Sequence, residues 1–122
     1  MKKSRFYFYY LFIYEMITVK NTAWGKVCFI EEETYRFAVY TYNDDPSSIY
    51  LSNVYVSENE RGKGLGNQIL QMTEKIAREM NRDEIYLKVK TGSFAHKWYS
   101  RHGYTDFEQT KYGNMWMKKT VV

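Results

Sequence analysis

Apolar and polar positions divide this chain into a strand-rich first half, one long helical stripe, and a strand, short helix and hairpin at the end. Ala23 to Glu31 (AWGKVCFIE) and Thr34 to Tyr42 (TYRFAVYTY) read as an antiparallel pair, with Glu32 and Glu33 at their turn. The polar run Asn43 to Ser48, which holds the only proline, predicts a loop that ends this hairpin. Ile49 to Val56 (IYLSNVYV) predicts a third strand. In Asn67 to Met80, the residues Ile69, Leu70, Met72, Ile76, Ala77 and Met80 recur at helical spacing, with Leu65 just ahead. Gln71, Glu74, Lys75 and Arg78 fall on the opposite side, so the stretch predicts an amphipathic helix. Asn81-Arg82-Asp83 stops it. Glu84 to Lys90 then alternates Ile85, Leu87 and Val89 with Tyr86, Lys88 and Lys90, the period of a strand. Strand, helix and strand over this length predict a parallel, right-handed crossover. Ser93 is placed to cap a short helix from Phe94 to His102, closed by Gly103. Tyr104 to Gln109 and Asn114 to Thr120 predict a final hairpin.

Residues 1–20 read as an edge segment. Phe6 to Tyr14 (FYFYYLFIY) is continuously apolar or aromatic, and its composition favours a strand. It falls short of the roughly 18–20 residues that span a bilayer, and no small-residue cleavage site follows it, so neither a membrane span nor a signal peptide is expected. Met16 offers an alternative translation start. Without linker, repeat or low-complexity segment, residues 1–122 are expected to form a single domain.

Composition narrows the chemistry. Aromatic residues reach 19%, with 13 Tyr, which predicts clefts or a core built from rings. A net charge of +4 suits an anionic ligand. No basic run concentrates that charge, which argues against nucleic acid. The single Cys28 excludes an internal disulfide, fits a reducing, cytoplasmic setting, and reads as a buried apolar residue. One Cys and two separated His assemble no metal cluster, so no metal is expected.

Between the third strand and the long helix stands Arg61-Gly62-Lys63-Gly64-Leu65-Gly66. Glycines let backbone approach a ligand closely, and the first N–H groups of a helix have no partner inside it. Such a turn favours a phosphate, with Arg61 and Lys63 adding attraction. Lys63 is followed by Gly64 and not by Ser or Thr, which excludes a P-loop. Glycines at 62, 64 and 66 give G-x-G-x-G, a poor match to the dinucleotide fingerprint. The pattern that fits is R-x-x-G-x-G, filled by Arg61, Gly64 and Gly66.

This pattern resembles the acyl-CoA-binding signature of the GNAT N-acetyltransferases. A second stretch, Ala95-His96-Lys97-Trp98-Tyr99-Ser100-Arg101-His102-Gly103-Tyr104, resembles that family's other signature at Ala95, Trp98, Tyr99, Gly103 and Tyr104. The resemblance runs in element order from about Trp24 to Lys118 and implies an α/β (α+β) fold. Its sheet would be mixed and mostly antiparallel, with one parallel pair at the acyl-CoA site, flanked by helices and shortened at the N-terminus. It implies acetyl-CoA as cosubstrate, bound by backbone of Arg61, Gly62, Lys63, Gly64, Leu65 and Gly66 at the pyrophosphate and by Val54, Tyr55 and Val56 along the pantetheine arm. It gives Tyr99 the role of general acid toward the departing thiolate. An amine-bearing small molecule or a protein would be the acceptor, attacking directly.

The chain departs from the family at three points. No good base stands on the central strand, where Tyr50, Ser52 and Asn53 occupy the substrate side; water held by Ser52 or Tyr50, or a carboxylate among Glu31 to Glu33, are the candidates left. His96 and His102 read as exposed helix residues. Gly92 stands where the family places a polar residue. The 23 residues before Trp24 are too few for the strand and two helices that cover the acceptor site in relatives, which favours a large acceptor or completion by a second subunit, as in a homodimer. The alternative is a non-catalytic acyl-CoA-binding or regulatory domain. A basic nucleic-acid module would instead bind with steep salt dependence and no preference for CoA.

Overall fold

Alternating apolar residues build a sheet, and the apolar stripe of one long helix closes it on one side. The computed structural model describes residues 17–121. Its strands are β1 Ile17–Asn21, β2 Gly25–Glu31, β3 Tyr35–Tyr42, β4 Asp45–Val56, β5 Glu84–Lys90, β6 Thr105–Gln109 and β7 Asn114–Thr120. They form one sheet in the order β1-β2-β3-β4-β5-β7-β6. Among these strands only β4 and β5 pair in parallel, across a helical crossover; the other neighbours are antiparallel. The helices are α1 Leu65–Glu79 and α2 Phe94–Arg101, with a 3₁₀ turn at Glu58–Glu60.

Ile69 and Ile76 of α1 pack with Ile30, Phe37, Val39, Ile49, Ile85 and Met117 of the sheet, each 2% exposed or less. Burying such a side chain is worth roughly 1.5–3 kcal/mol, which holds α1 to this face. The second helix joins the same side: the Trp98 ring lies against Gly66, and Lys119 Nζ donates to both Glu74 of α1 (2.9 Å) and the His102 carbonyl (3.0 Å). Among the described residues no helix covers the opposite face. There the rings of Trp24, Tyr42, Tyr50, Tyr86, Trp116 and Phe107 follow one another across the sheet.

Three sequence expectations are corrected. A first strand, β1, precedes the expected set and turns directly into β2. Thr22 Oγ1 makes that turn by accepting from the N–H groups of Trp24 (3.2 Å) and Gly25 (3.0 Å). The expected loop over residues 43–48 shrinks to Asn43-Asp44, because Tyr42 already pairs with Asp45. Pro46 then lies inside β4, in an irregular stretch where residues 46–49 face Thr41 alone; a bulge tolerates the missing N–H. α1 begins at Leu65, two residues early, since left-handed Gly64 (φ +87°) serves as its N-cap. The strand expected over Phe6 to Tyr14 lies outside the described residues.

Candidate active site

Two parallel strands part here, and the reason is local. β4 and β5 pair only from Ser48–Tyr50 to Glu84–Tyr86. Further along, β4 bulges against β3: Ala38 faces Ser52 and Arg36 faces Tyr55, so Phe37 alone spans Asn53 and Val54. Asn53 has φ +56°, the left-handed region that Asn enters more easily than other side-chain-bearing residues. The bulge carries the end of β4 away from β5, so its main-chain groups on that side have no strand partner. Backbone donors and acceptors left in this way are a ready surface for an extended ligand. The sequence placed Asn53 on the substrate side of the strand but did not predict the bulge there. Its signal was present, as a strand-averse Asn in the middle of an apolar strand.

A cleft of about 690 Å³ opens between the end of β4, the glycine loop and α2. Eight of the nine residues expected to bind a cosubstrate line it: Val54, Tyr55, Val56, Arg61, Gly62, Gly64, Leu65 and Gly66. Lys63 does not; it points outward and pairs with Glu60 at 3.6 Å. The Nε of Arg61 donates to the Val56 carbonyl at 3.0 Å, tying the loop to β4. No side chain caps α1, and Gln68 N–H is the first to find an acceptor in the helix, the Gly64 carbonyl at 3.1 Å. The N–H groups of Leu65, Gly66 and Asn67 therefore lack helical partners and carry the positive end of the helix dipole. Gly66 has a packing task besides lining the cleft. A Cβ there would stand 2.8 Å from Cζ2 of Trp98, so this glycine lets the two helices approach.

A second cleft, of about 580 Å³, lies in the gap between β4 and β5. Tyr40, Tyr42, Tyr50 and Trp116 line it, with Lys88 and Lys90. Val54, Ala95 and Tyr99 line both clefts. Tyr99 is 6% exposed and packs edge-on against Trp98 and Tyr104, with ring centroids 5.0 and 5.5 Å away. Burial pushes its phenol up to about 12, so it stays protonated across the neutral range.

The polar residues weighed as bases are placed elsewhere or engaged. Glu31 lines a third groove, over β1–β4, that borders the other two at Asn53, Val54 and Tyr55, and Glu32 and Glu33 stand by the β2–β3 turn. Tyr50 donates to Asp45 at 2.8 Å; burial, and then this carboxylate, raise its phenol. Gly92 N–H donates to Nδ1 of His96 at 2.9 Å, so the neutral ring carries its proton on Nε2, 2.8 Å from Asp106. That histidine holds the β5–α2 loop, where Gly92 takes φ +79°. His102 joins the helices, meeting the Trp98 carbonyl (2.8 Å) and Asn67 (2.7 Å). Burial raises the Cys28 thiol to about 11, which leaves it an inert core residue. Among the described residues, no group of His, Cys, Asp and Glu could hold a metal ion, and no helix is long and apolar enough to cross a membrane.

The family model described as Acetyltransferase (GNAT) family matches residues 3–104. No curated protein matches the chain. Among solved structures, the fold is shared with an IAA acetyltransferase from Bacillus cereus at 14% identity and a TM-score of 0.65, covering 79% of this chain and 77% of that one. A GNAT family acetyltransferase from Elizabethkingia anophelis with acetyl-CoA bound is 12% identical, with a TM-score of 0.65 over 79% and 76% of the two chains. The PaiA N-acetyltransferase from Thermoplasma acidophilum, in complex with coenzyme A, is 18% identical, with a TM-score of 0.65 over 77% and 59%. At these identities the likeness is one of fold.

Proposed function

The chain belongs to the GNAT family of acetyltransferases, and from that premise we propose that it moves an acetyl group from acetyl-CoA to a primary amine by direct attack, with Tyr99 as general acid. One observation supports this reading: Tyr99 lines both clefts, the position a general acid needs if a thioester from one is to meet an amine from the other. Two solved structures of this fold, one with acetyl-CoA bound and one in complex with coenzyme A, support the assignment of the first cleft to the cosubstrate.

In this account the backbone N–H groups of the loop Arg61–Gly66 and of the uncapped start of α1 take the pyrophosphate. The freed edge of β4, at Val54, Tyr55 and Val56, pairs with the pantetheine amides. A main-chain N–H at the bulge polarises the thioester carbonyl and stabilises the oxyanion as the amine attacks. As the carbon–sulfur bond breaks, Tyr99 donates its proton to the sulfur and recovers one from solvent. An ammonium near pKa ~10.4 must first lose its proton. Among the described residues lining the second cleft, none is a base at neutral pH, so the proton passes to water.

The test is turnover. The full chain, incubated with acetyl-CoA and a panel of primary amines, should release free thiol and acetylated product in equal amounts. Acetyl-CoA binding with no product from any amine, peptides included, would instead make this a non-catalytic acyl-CoA-binding domain, a reading that the lack of a described base favours.

A further inference from the structure

The second cleft has a chemical character of its own, and it bears on the acceptor left open above. Its walls are rings held in place by other rings. Tyr50 stands edge-on to Tyr42 (5.1 Å) and Trp116 (6.1 Å) and stacks on Tyr86 (5.4 Å). Such side chains lose little freedom when a flat molecule slides between them, so ordering costs little on binding. The charges in the cleft are Lys88 and Lys90, both exposed, with Lys88 Nζ 5.5 Å from the centre of the Trp116 ring. Neither lysine has a carboxylate partner among the described residues. Nor does any described carboxylate line the cleft. The acids of β4 and β5, Asp45 and Glu84, stand at the opposite end of those strands and accept from Tyr50 and Tyr86, each at 2.8 Å, and Glu108 of β6, paired with Trp116, does not line the cleft.

A cleft with aromatic walls, two cations and no anion disfavours a polycation and suits a molecule that is flat at one point and negative at another. We propose that the acceptor is an amine carrying an aromatic ring and a carboxylate, the ring seated among Tyr40, Tyr42, Tyr50 and Trp116 and the carboxylate meeting Lys88 and Lys90. This rests on the acetyltransferase reading of the site.

The test uses probes matched in shape, with the full chain saturated with CoA. Calorimetry would compare 4-(aminomethyl)benzoate, the neutral 4-(aminomethyl)benzamide, 6-aminohexanoate and spermidine. The benzoate should bind about 10-fold tighter than the benzamide, the value of one charge-assisted contact, and tighter than ring-free 6-aminohexanoate by a similar factor. Spermidine should be the weakest. In Lys88→Gln/Lys90→Gln the benzoate and benzamide should converge, and in the wild type their gap should narrow as salt rises. Equal binding of the first two probes, or a preference for spermidine, would overturn the inference. Because binding is read without turnover, failure of acetyl transfer would sink the catalytic reading and leave this result standing on its own.

Discussion

Tyr99 is the general acid of the proposed mechanism, and its surroundings say what removing its hydroxyl should do. The side chain belongs to the core and the residue lines both clefts, and removing the hydroxyl leaves the ring packing intact, so Tyr99→Phe should fold normally and still be stabilised by acetyl-CoA. Steady-state kinetics should show kcat lowered by about 100-fold, within the usual range for loss of a general acid. With the phenol raised to about 12 by burial, wild-type rate should climb with pH as the amine deprotonates and show no falling limb below about pH 11. A limb descending near pH 7 to 8 would point to another acid. Asn53 acts differently, by shaping backbone. Asn53→Val puts a β-branched residue at φ +56°, at a cost of about 1–2 kcal/mol, and favours straightening the bulge. Its effect should appear as a lower melting temperature together with a higher KM for acetyl-CoA. Asn53→Gly should leave that KM near the wild-type value.

At the level of elements, the loop from β4 to α1 uses its glycines for two separate reasons that can be told apart. Gly64 needs its positive φ but has open space where a Cβ would go, whereas Gly66 is helical and is crowded by Trp98. Gly64→Ala should therefore cost about 1–2 kcal/mol in backbone strain, and Gly64→Asn less. Gly66→Ala should cost about 1–3 kcal/mol through overpacking, with no relief from Asn. Chemical denaturation of the four variants measures both. The elements themselves were largely readable. β5 and β7 match their expected bounds, Glu84 to Lys90 and Asn114 to Thr120, because clean alternation and flanking turn residues define them. Ser93 caps α2 as expected, accepting from His96 N–H at 3.1 Å. The errors lie where tertiary pairing overrides local signals. Pro46 reads as a breaker but is absorbed by a bulge, and β1 gains definition only from its pairing with β2.

For the molecule as a whole, the two signature stretches converge although some 30 residues separate them, since both helices pack on one sheet face and bring Gly66 against Trp98. That meeting was legible only through the motifs. The parting of β4 from β5 and the ring-lined second cleft were not, because they depend on a register shift and on side chains drawn from four strands. Burial of Cys28 and Tyr99 also makes stability depend on pH. Their values rise from 9.0 and 10.0 to about 11 and about 12, so through this range the unfolded chain has lost protons that the native one keeps. The contribution of these two groups is whole below pH 9.0 and is lost as pH rises toward 12. Melting temperatures taken between pH 8 and 12 should show this, and the fall should be shallower in Tyr99→Phe. The central claim, that the loop Arg61–Gly66 is an acyl-CoA site, is tested most directly by thermal shift with acetyl-CoA, CoA and ATP on wild type, Gly64→Asn and Gly64→Glu. Acetyl-CoA at 100 times its dissociation constant should stabilise the wild type by roughly 2.7 kcal/mol. ATP should do much less, Gly64→Asn should retain the response, and Gly64→Glu, with a carboxylate beside the phosphates, should lose it while still melting cooperatively. An equal response to all three ligands, or an undiminished one in Gly64→Glu, would contradict the account.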